Sequence, residues 1–323
     1  MSEDSFYISV IIPTYNRCDI LEKCLAALHA QTLPAERFEL IVVDDGSRDA
    51  TTAVAARFRE EIFGARLTYL KQSNSGQNAA RNRAIAVARG NILLFINDDT
   101  IAAPDMLGEH YRCHEAHPAE NVAVLGRVTR SRDIPWNIFA TLHLDETYAQ
   151  WEGRRELDWR SFITCNLSVK KSFLDKFGVY DESLRYNDDV ELGERLSHHG
   201  LRILYNPASL GYHDHYLTEE DFLGIAKKSG TSLAVWYKRS PGLAPELATL
   251  GFYLGNRGLS RIKYLLADLV FFPAARPCWL FWARFLTGRW EGGALMLYRK
   301  LYKAIEREHI RRELARQQSG RQQ

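Results

Sequence analysis

Short apolar runs alternate with stretches of helical spacing through the first half of the chain. "YISVIIP" is a β-branched run that fits a strand. Asp19 follows it as a cap for a helix whose apolar positions Ile20, Leu21, Cys24, Leu25 and Leu28 share one face. "FELIVV" predicts a second strand, with a helix from about Asp49 to Arg59. "RLTYLK" predicts a third strand, "QNAARNRAIAVAR" a helix stopped by Gly90, and "NILLFI" a fourth strand. Pro104 opens another helix, and "NVAVLGRV" predicts a fifth strand. Strands alternating with helices predict βαβ units: an α/β fold with a mainly parallel sheet covered by helices on both faces.

The period is lost between about 130 and 160, where Trp, Tyr and charged residues mix, and this stretch reads as a long active-site loop or lid. "FITCNLSVKKSFLDKFGVYDESL" restores a strand and a helix. "YNDDVELGERLSHHG" reads as a helix with Leu192 and Leu196 on one face and Gly200 as its stop. Beyond Gly224 the pattern is helical to a terminal "RQQSGRQQ", which is expected to fray. The expected organisation is a domain over 1–224, with a nucleotide-binding half near 1–128 and an acceptor half near 129–224, followed by a helical, basic region over 225–323.

In open α/β sheets ligands bind beyond the carboxyl ends of the strands. The polar residues that follow the predicted strands are Pro13-Thr14-Tyr15-Asn16, Asp44-Asp45-Gly46-Ser47 and Asn97-Asp98-Asp99, and they should meet on one edge. Two adjacent carboxylates at the end of a buried strand need a positive partner, because burying ionised acids side by side is costly. Their oxygens suit a hard divalent cation, Mg²⁺ or Mn²⁺, of the kind held by one or two carboxylates together with substrate phosphates. As plain structure, the same Asp pair would close a turn or cap the next helix. No glycine-rich phosphate cradle is present, so phosphates would need the cation and basic side chains, with Lys71, Arg81 and Arg83 as candidates. A second acidic group, Asp188-Asp189 with Glu191, begins a predicted helix, where acids also favour the helix dipole.

In combination, "ISVIIPTYNR", "LIVVDDGSRDAT", "NSGQNAARNRAI", "FINDDT" and "NDDVELGERL", spread over roughly 7–215, resemble the family 2 glycosyltransferases of GT-A fold. The resemblance implies a nucleotide-sugar donor, UDP- or dTDP-linked, a divalent cation and inversion at the anomeric carbon. It implies that Pro13, Thr14 and Tyr15 line the nucleotide pocket. Asp45 would bind the base with Asp44 in support, Arg81 would lie near base or diphosphate, Asp98 would face the ribose, and Asp99 would ligate the metal. Asp189 would be the catalytic base, supported by Asp188 and Glu191. His213 or His215 in "LGYHDHY" would be a further metal ligand or diphosphate contact, and Asn166 would lie near the sugar or acceptor. Asn97 stands where the family commonly has an acid. The Q-x-x-R-W of processive synthases is absent, with Leu286 where Gln would precede Arg289-Trp290, so one sugar per encounter is expected. The rival readings are a sugar-nucleotide pyrophosphorylase, whose Gly-rich N-terminal signature is missing, and a silent nucleotide-sugar-binding assembly subunit.

Composition adds two points. Net charge is only +2, which excludes a general polyanion or nucleic-acid binder, yet the residues from Arg276 onward carry +7 and residues 1–275 carry −5. Trp279, Phe281, Trp282, Phe285 and Trp290 lie among Arg276, Arg284 and Arg289, with Arg299, Lys300, Lys303, Arg307, Arg311 and Arg312 beyond. That mixture leaves two readings open: contact with an anionic membrane surface, which would suit a lipid-linked acceptor, or packing as an appendage or subunit contact in a homo-oligomer. Five scattered cysteines without C-x-x-C spacing and an N-terminus without a secretory pattern point to a cytoplasmic protein, at most peripheral on a membrane. No apolar run approaches the length of a membrane span.

Overall fold

Burial on both faces marks the centre of the sheet. β1 (Ile8–Thr14), β2 (Phe38–Asp44) and β4 (Ile92–Ile96) carry nearly continuous apolar runs, and Val10, Ile11, Leu40, Ile41, Leu94 and Phe95 are fully shielded. Such strands need cover from both sides. On one side Ile8, Val10, Ile12, Leu40 and Leu94 share a core cluster with Leu21, Cys24, Leu25 and Leu28 of α1 (Cys18–His29). The helix α3 (Gln77–Val87), which contributes nothing to that cluster, also lies against β1 and β2. The computed structural model describes residues 7–253 and 259–319, so the last four residues of the chain, part of the predicted frayed tail, lie outside it.

β3 (Leu67–Lys71), β2, β1 and β4 run parallel in that order, with α2 (Thr51–Phe58) between β2 and β3. The sheet then turns mixed. β8 (Asn166–Lys170) enters antiparallel to β4, followed by β6 (Val122–Arg130), β9 (Arg202–His213) and the short β5 (Thr100–Ala102). β6 and β9 are parallel, while β5 and the two-residue β7 (Glu156–Leu157) pair antiparallel with β9. Strands of two or three residues carry no readable alternation, which is why β5 and β7 left no trace in the sequence pattern.

Three expectations are corrected here. The stretch 130–160 is largely short helical turns: α5 (Ile138–Ala140), a π-turn over Thr141–Asp145, α6 (Glu146–Ala149) and a 3-10 turn at Trp159–Ser161. Each is too short to repeat a period. Asn137 and Asp158 cap two of them by accepting backbone N–H groups of Ala140 and Arg160. α1 starts one residue before Asp19, and the carboxylate that receives its first N–H is that of Asp49, at 3.0 Å from the Cys18 nitrogen. α4 (Met106–Ala116) starts two residues beyond Pro104, and α7 (Lys171–Phe177) follows β8 directly.

The chain forms two compact units. The first comprises residues 1–135, 147–183 and 188–215 and contains the sheet; the second comprises 136–146, 184–187 and 216–323. These bounds differ from the expected division near 224, because Thr218 caps α9 (Glu219–Arg239) through a reciprocal box with Asp221 and so starts the helical region earlier. The second unit continues through α10 (Ala244–Leu250), α11 (Leu259–Val270), α12 (Arg276–Leu286) and α13 (Glu291–Ser319). Its core joins Phe222 of α9, Phe271, Ala283 of α12, and Ala294, Leu297, Tyr298, Leu301 and Ala304 of α13.

Candidate active site

Strand register brings the first acidic cluster to the end of β1. Ile8 stands opposite Ile92 and Ile11 opposite Phe95, so the same register carried onward sets Thr14 level with Asp98. Thr14 Oγ1 donates to Asp98 Oδ2 at 2.8 Å. The β1–β2 register likewise sets Thr14 beside Asp44. Pro13, Thr14, Tyr15, Asp45 and Asp98 line a cavity of about 210 Å³, joined by Arg17, Gln77 and Asn97.

The two members of Asp44-Asp45 have different tasks. Asp44 is fully buried and accepts from the Ser47 N–H and the Tyr69 hydroxyl, both at 2.7 Å, with Lys71 Nζ at 3.4 Å. Burial alone would push its carboxyl upward, but these partners hold it below the usual range. It therefore braces the loop after β2 and does not line the cavity. Asp45 does line it, and accepts from Gln72 Nε2 and from the N–H groups of Ser75 and Gly76, each at 2.8 Å. Gly76 takes φ +94° to make that approach. Lys71 donates to the Ser47 carbonyl and Arg83 to the Lys71 carbonyl, so neither of these expected phosphate partners lines the cavity.

The positive partner of Asp98 and Asp99 is Arg17. Its Nη1 reaches Asp98 Oδ1 at 2.8 Å and its Nη2 reaches Asp99 Oδ2 at 2.9 Å. Both acids are at least nine-tenths buried. Burial, reinforced by the charge of Asp99 and opposed by Arg17, raises the Asp98 carboxyl to about 6. For Asp99 the upward push of burial is outweighed by His213 and Arg17, and the net shift is downward. The pairing of Thr100 with His213 across β5 and β9 places His213 Nε2 3.6 Å from Asp99 Oδ2. His215 lies just past the end of β9, its ring 6.0 Å from that of His213. Asp99 Oδ1 is buried and has no hydrogen-bond partner among the described residues.

The second acidic cluster opens α8 (Asp188–Ser197), after Asn187 at φ +55°. Arg81 Nη1 donates to Asp188 Oδ2 at 3.0 Å while its Nη2 donates to Asn97 Oδ1 at 3.2 Å. The guanidinium also lies 5.3 Å from the Tyr180 ring centroid. Arg81 thus bridges the β4 loop and the second acidic cluster and does not itself line the cavity. Gln77, on the cavity wall, reaches Asp188 at 3.3 Å. Asp189 is half-buried and accepts from the Val190 N–H at 2.8 Å and the Thr164 N–H at 3.3 Å. Burial, then the charge of Asp188, raise its carboxyl to about 6, with Arg81 opposing. Cys165, next to Thr164, accepts from Thr100 Oγ1 at 3.1 Å. Two consecutive residues therefore tie the β4 acids to the α8 acids.

Two predicted residues lie elsewhere. Glu191 is held by Arg195 at 2.7 Å within α8, a structural pair. Asn166 is fully buried in β8, where its amide donates to the carbonyls of Arg127 and Ser209 and meets His110 at 2.8 Å. It knits β8 to its neighbours and does not line the cavity. Arg17 and Gln77 were missed as site residues, although Arg17 ends the quoted "ISVIIPTYNR" and Gln77 sits in "NSGQNAARNRAI".

The profile of the family described as Glycosyl transferase family 2 matches residues 9–172. The chain belongs to this family. Among similar proteins, validoxylamine A glucosyltransferase of Streptomyces hygroscopicus subsp. jinggangensis is 30% identical over 286 residues, covering 78% of this chain and 64% of that protein. Glycosyltransferase AglE of Haloferax volcanii is 38% identical over 208 residues, covering 64% of this chain and 66% of its own length. The chain thus spans just under two thirds of the length of these two relatives.

Solved structures place this family 2 chain in the GT-A fold. Mannosyltransferase PcManGT from Pyrobaculum calidifontis, in complex with GDP-Man and Mn²⁺, gives a TM-score of 0.63 at 20% identity, over 95% of this chain and 88% of that one. Residues 1–349 of TarS from S. aureus, in complex with UDP, give 0.53 at 18% identity, over 97% and 92%.

Proposed function

We propose that this family 2 protein transfers a sugar from a UDP- or dTDP-linked donor to a hydroxyl of a glycan or lipid-linked acceptor, with inversion at the anomeric carbon. The observation that supports this best is the linkage of two acidic clusters, Asp98-Asp99 and Asp188-Asp189, beside one cavity lined by Thr14, Tyr15 and Asp45. The nucleotide would lie against these residues. The UDP and GDP-Man bound in TarS and PcManGT support a nucleotide diphosphate as the ligand class.

Asp189 would remove the proton of the acceptor hydroxyl as that oxygen attacks the anomeric carbon. The donor's bond to the diphosphate breaks in the same displacement, so no covalent sugar–carboxylate species is needed. A raised carboxyl near 6 is a stronger base than an ordinary aspartate, which suits the weak acidity of a sugar hydroxyl.

The residues fit a divalent cation. Asp99 Oδ1 is a buried carboxylate oxygen without a hydrogen-bond partner among the described residues, and His213 borders its other oxygen. Oxygen and imidazole donors suit Mn²⁺. Among the described residues no three His, Cys, Asp or Glu side chains group to enclose an ion alone, so the diphosphate would complete the coordination. When bound, Mn²⁺ or Mg²⁺ supplies neutralising charge for the leaving diphosphate. In a thermal-shift panel, UDP, dTDP and GDP with MnCl₂ are expected to raise the melting temperature more than either component alone. A flat response to every nucleotide, with and without manganese, would sink the proposal.

The second unit supports a membrane-facing role on different grounds from those of the sequence. Its basic side chains are largely paired: Arg276 and Arg312 with Glu308, Arg284 with Glu219, Arg299 with Glu146, Arg307 and Arg311 with Asp268. Beside these pairs, large apolar side chains also stay exposed. On α12, Phe281, Trp282 and Phe285 form an outward stripe opposite the inward Trp279, Leu280 and Ala283. On α11, Ile262, Leu266 and Leu269 repeat the pattern. A helix apolar on both faces needs a second apolar phase. No single described helix is long and apolar enough to cross a membrane. Flotation with zwitterionic vesicles is therefore expected to carry the protein up, with little loss at 0.5 M NaCl. Failure to float, with a concentration-dependent dimer instead, would assign the face to a second copy.

A further inference from the structure

Arg17 holds the place that a cation entering this site would contest. It lies at the start of α1, and its guanidinium makes one contact to each of two nearly buried carboxylates, Asp98 Oδ1 at 2.8 Å and Asp99 Oδ2 at 2.9 Å. Its side chain is nevertheless 30% exposed and forms part of the cavity wall. The guanidinium has no other hydrogen-bond partner among the described residues. Two nearby cationic side chains are committed elsewhere, Arg81 to Asp188 and Lys23 to Asp214, while His213 stands 3.6 Å from Asp99 Oδ2.

From this arrangement we infer that Arg17 sets the order of ligand entry: a divalent cation is admitted together with a nucleoside diphosphate and disfavoured alone. The inference rests on the reading that a cation–diphosphate pair binds here. Without ligand, Arg17 neutralises the acid pair. A doubly charged ion placed on Asp99 Oδ1 then sits close to a guanidinium held on the same carboxylate, and in this buried setting the repulsion is strong. A diphosphate reverses the balance, because its negative oxygens accept both the ion and a planar guanidinium facing the same cavity. Arg17 exchanges carboxylate contacts for phosphate contacts, and the two ligands bind synergistically.

The test is a titration of MnCl₂ followed by the electron paramagnetic resonance of free Mn²⁺, for wild type, Arg17→Gln and Arg17→Lys, each alone and with UDP or GDP. Wild type is expected to bind Mn²⁺ alone at least tenfold more weakly than Arg17→Gln. Nucleoside diphosphate should tighten Mn²⁺ binding in wild type by at least tenfold more than in that variant. Arg17→Lys keeps the charge without the two-nitrogen bridge and should shift in the same direction by a few fold. It also serves as the readout if Arg17→Gln does not fold. Variants matching wild type, while UDP or GDP still strengthens wild-type manganese binding, overturn the role of Arg17 and leave the proposed function standing. No strengthening by either nucleotide in wild type overturns both.

Discussion

Replacing Asp189 with Asn is expected to lower sugar transfer by about 10²–10⁴-fold, the range for loss of a positioned general base, while nucleotide binding stays near wild type. The side chain is nearly unchanged in shape, and the amide oxygen can still accept the Val190 N–H. The effect should therefore fall on kcat. As the proposed base Asp189 would have to be ionised to act, and burial with the charge of Asp188 raises its carboxyl to about 6. Activity should then fall about tenfold per pH unit below that value and level off above it. Stability runs the other way. A raised folded-state value means the native chain holds this proton more tightly than the unfolded chain does. Stability is therefore lost as pH rises from about 4 to about 6. The Asn variant escapes that loss and should be more stable at pH 7 by on the order of 1 kcal/mol, the gain vanishing near pH 4. Radiolabelled-donor assays and melts at both pH values read the two effects. Transfer within a few fold of wild type would remove Asp189 from the chemistry.

How far the sequence carried depended on the length of each signal. β1, β2 and β4 were legible because runs such as "ILLFI" are buried on both faces, and the rule for strand ends then located Thr14, Asp45 and Asp98 before any coordinates. The meeting of those clusters follows from parallel register, which the alternation of elements dictates. The antiparallel insertion of β8 between β4 and β6 could not be read, because strand order beyond β4 depends on pairings distant in sequence. Side-chain direction was the other gap. Asn166 is polar and adjacent to site residues in sequence, yet strand alternation turns it toward His110 and the carbonyls of neighbouring strands. Arg17 posed the converse difficulty. A lone arginine at a helix start reads as a solvated charge until the acids opposite it are known to be buried.

Arg81→Leu should produce the largest loss of stability among substitutions at the site, about 3 kcal/mol. Arg81 and Asp188 are both only 4% exposed at the side chain. Removing the guanidinium leaves a buried carboxylate whose remaining side-chain contacts among the described residues are the longer ones from Gln77, and breaking one side of such a pair is far costlier than replacing both. At a few degrees per kcal/mol for a chain of this size, the melting temperature should drop by about 5–10 °C. The activity profile should move as well. Arg81 opposes the rise of the Asp189 carboxyl, so without it the acidic limb of the pH–rate curve shifts to higher pH, which simple loss of stability would not cause. Arg81→Lys keeps the charge but cannot span from Asn97 to Asp188, and should retain the limb while losing part of the stability. The double variant Arg81→Leu/Asp188→Asn isolates the cause. If the penalty is the unpaired charge of Asp188, the second substitution recovers most of the stability, a coupling well beyond additivity. Wild-type melting of Arg81→Leu, or additive losses in the pair, would show that the bridge between the two acidic clusters holds neither in place.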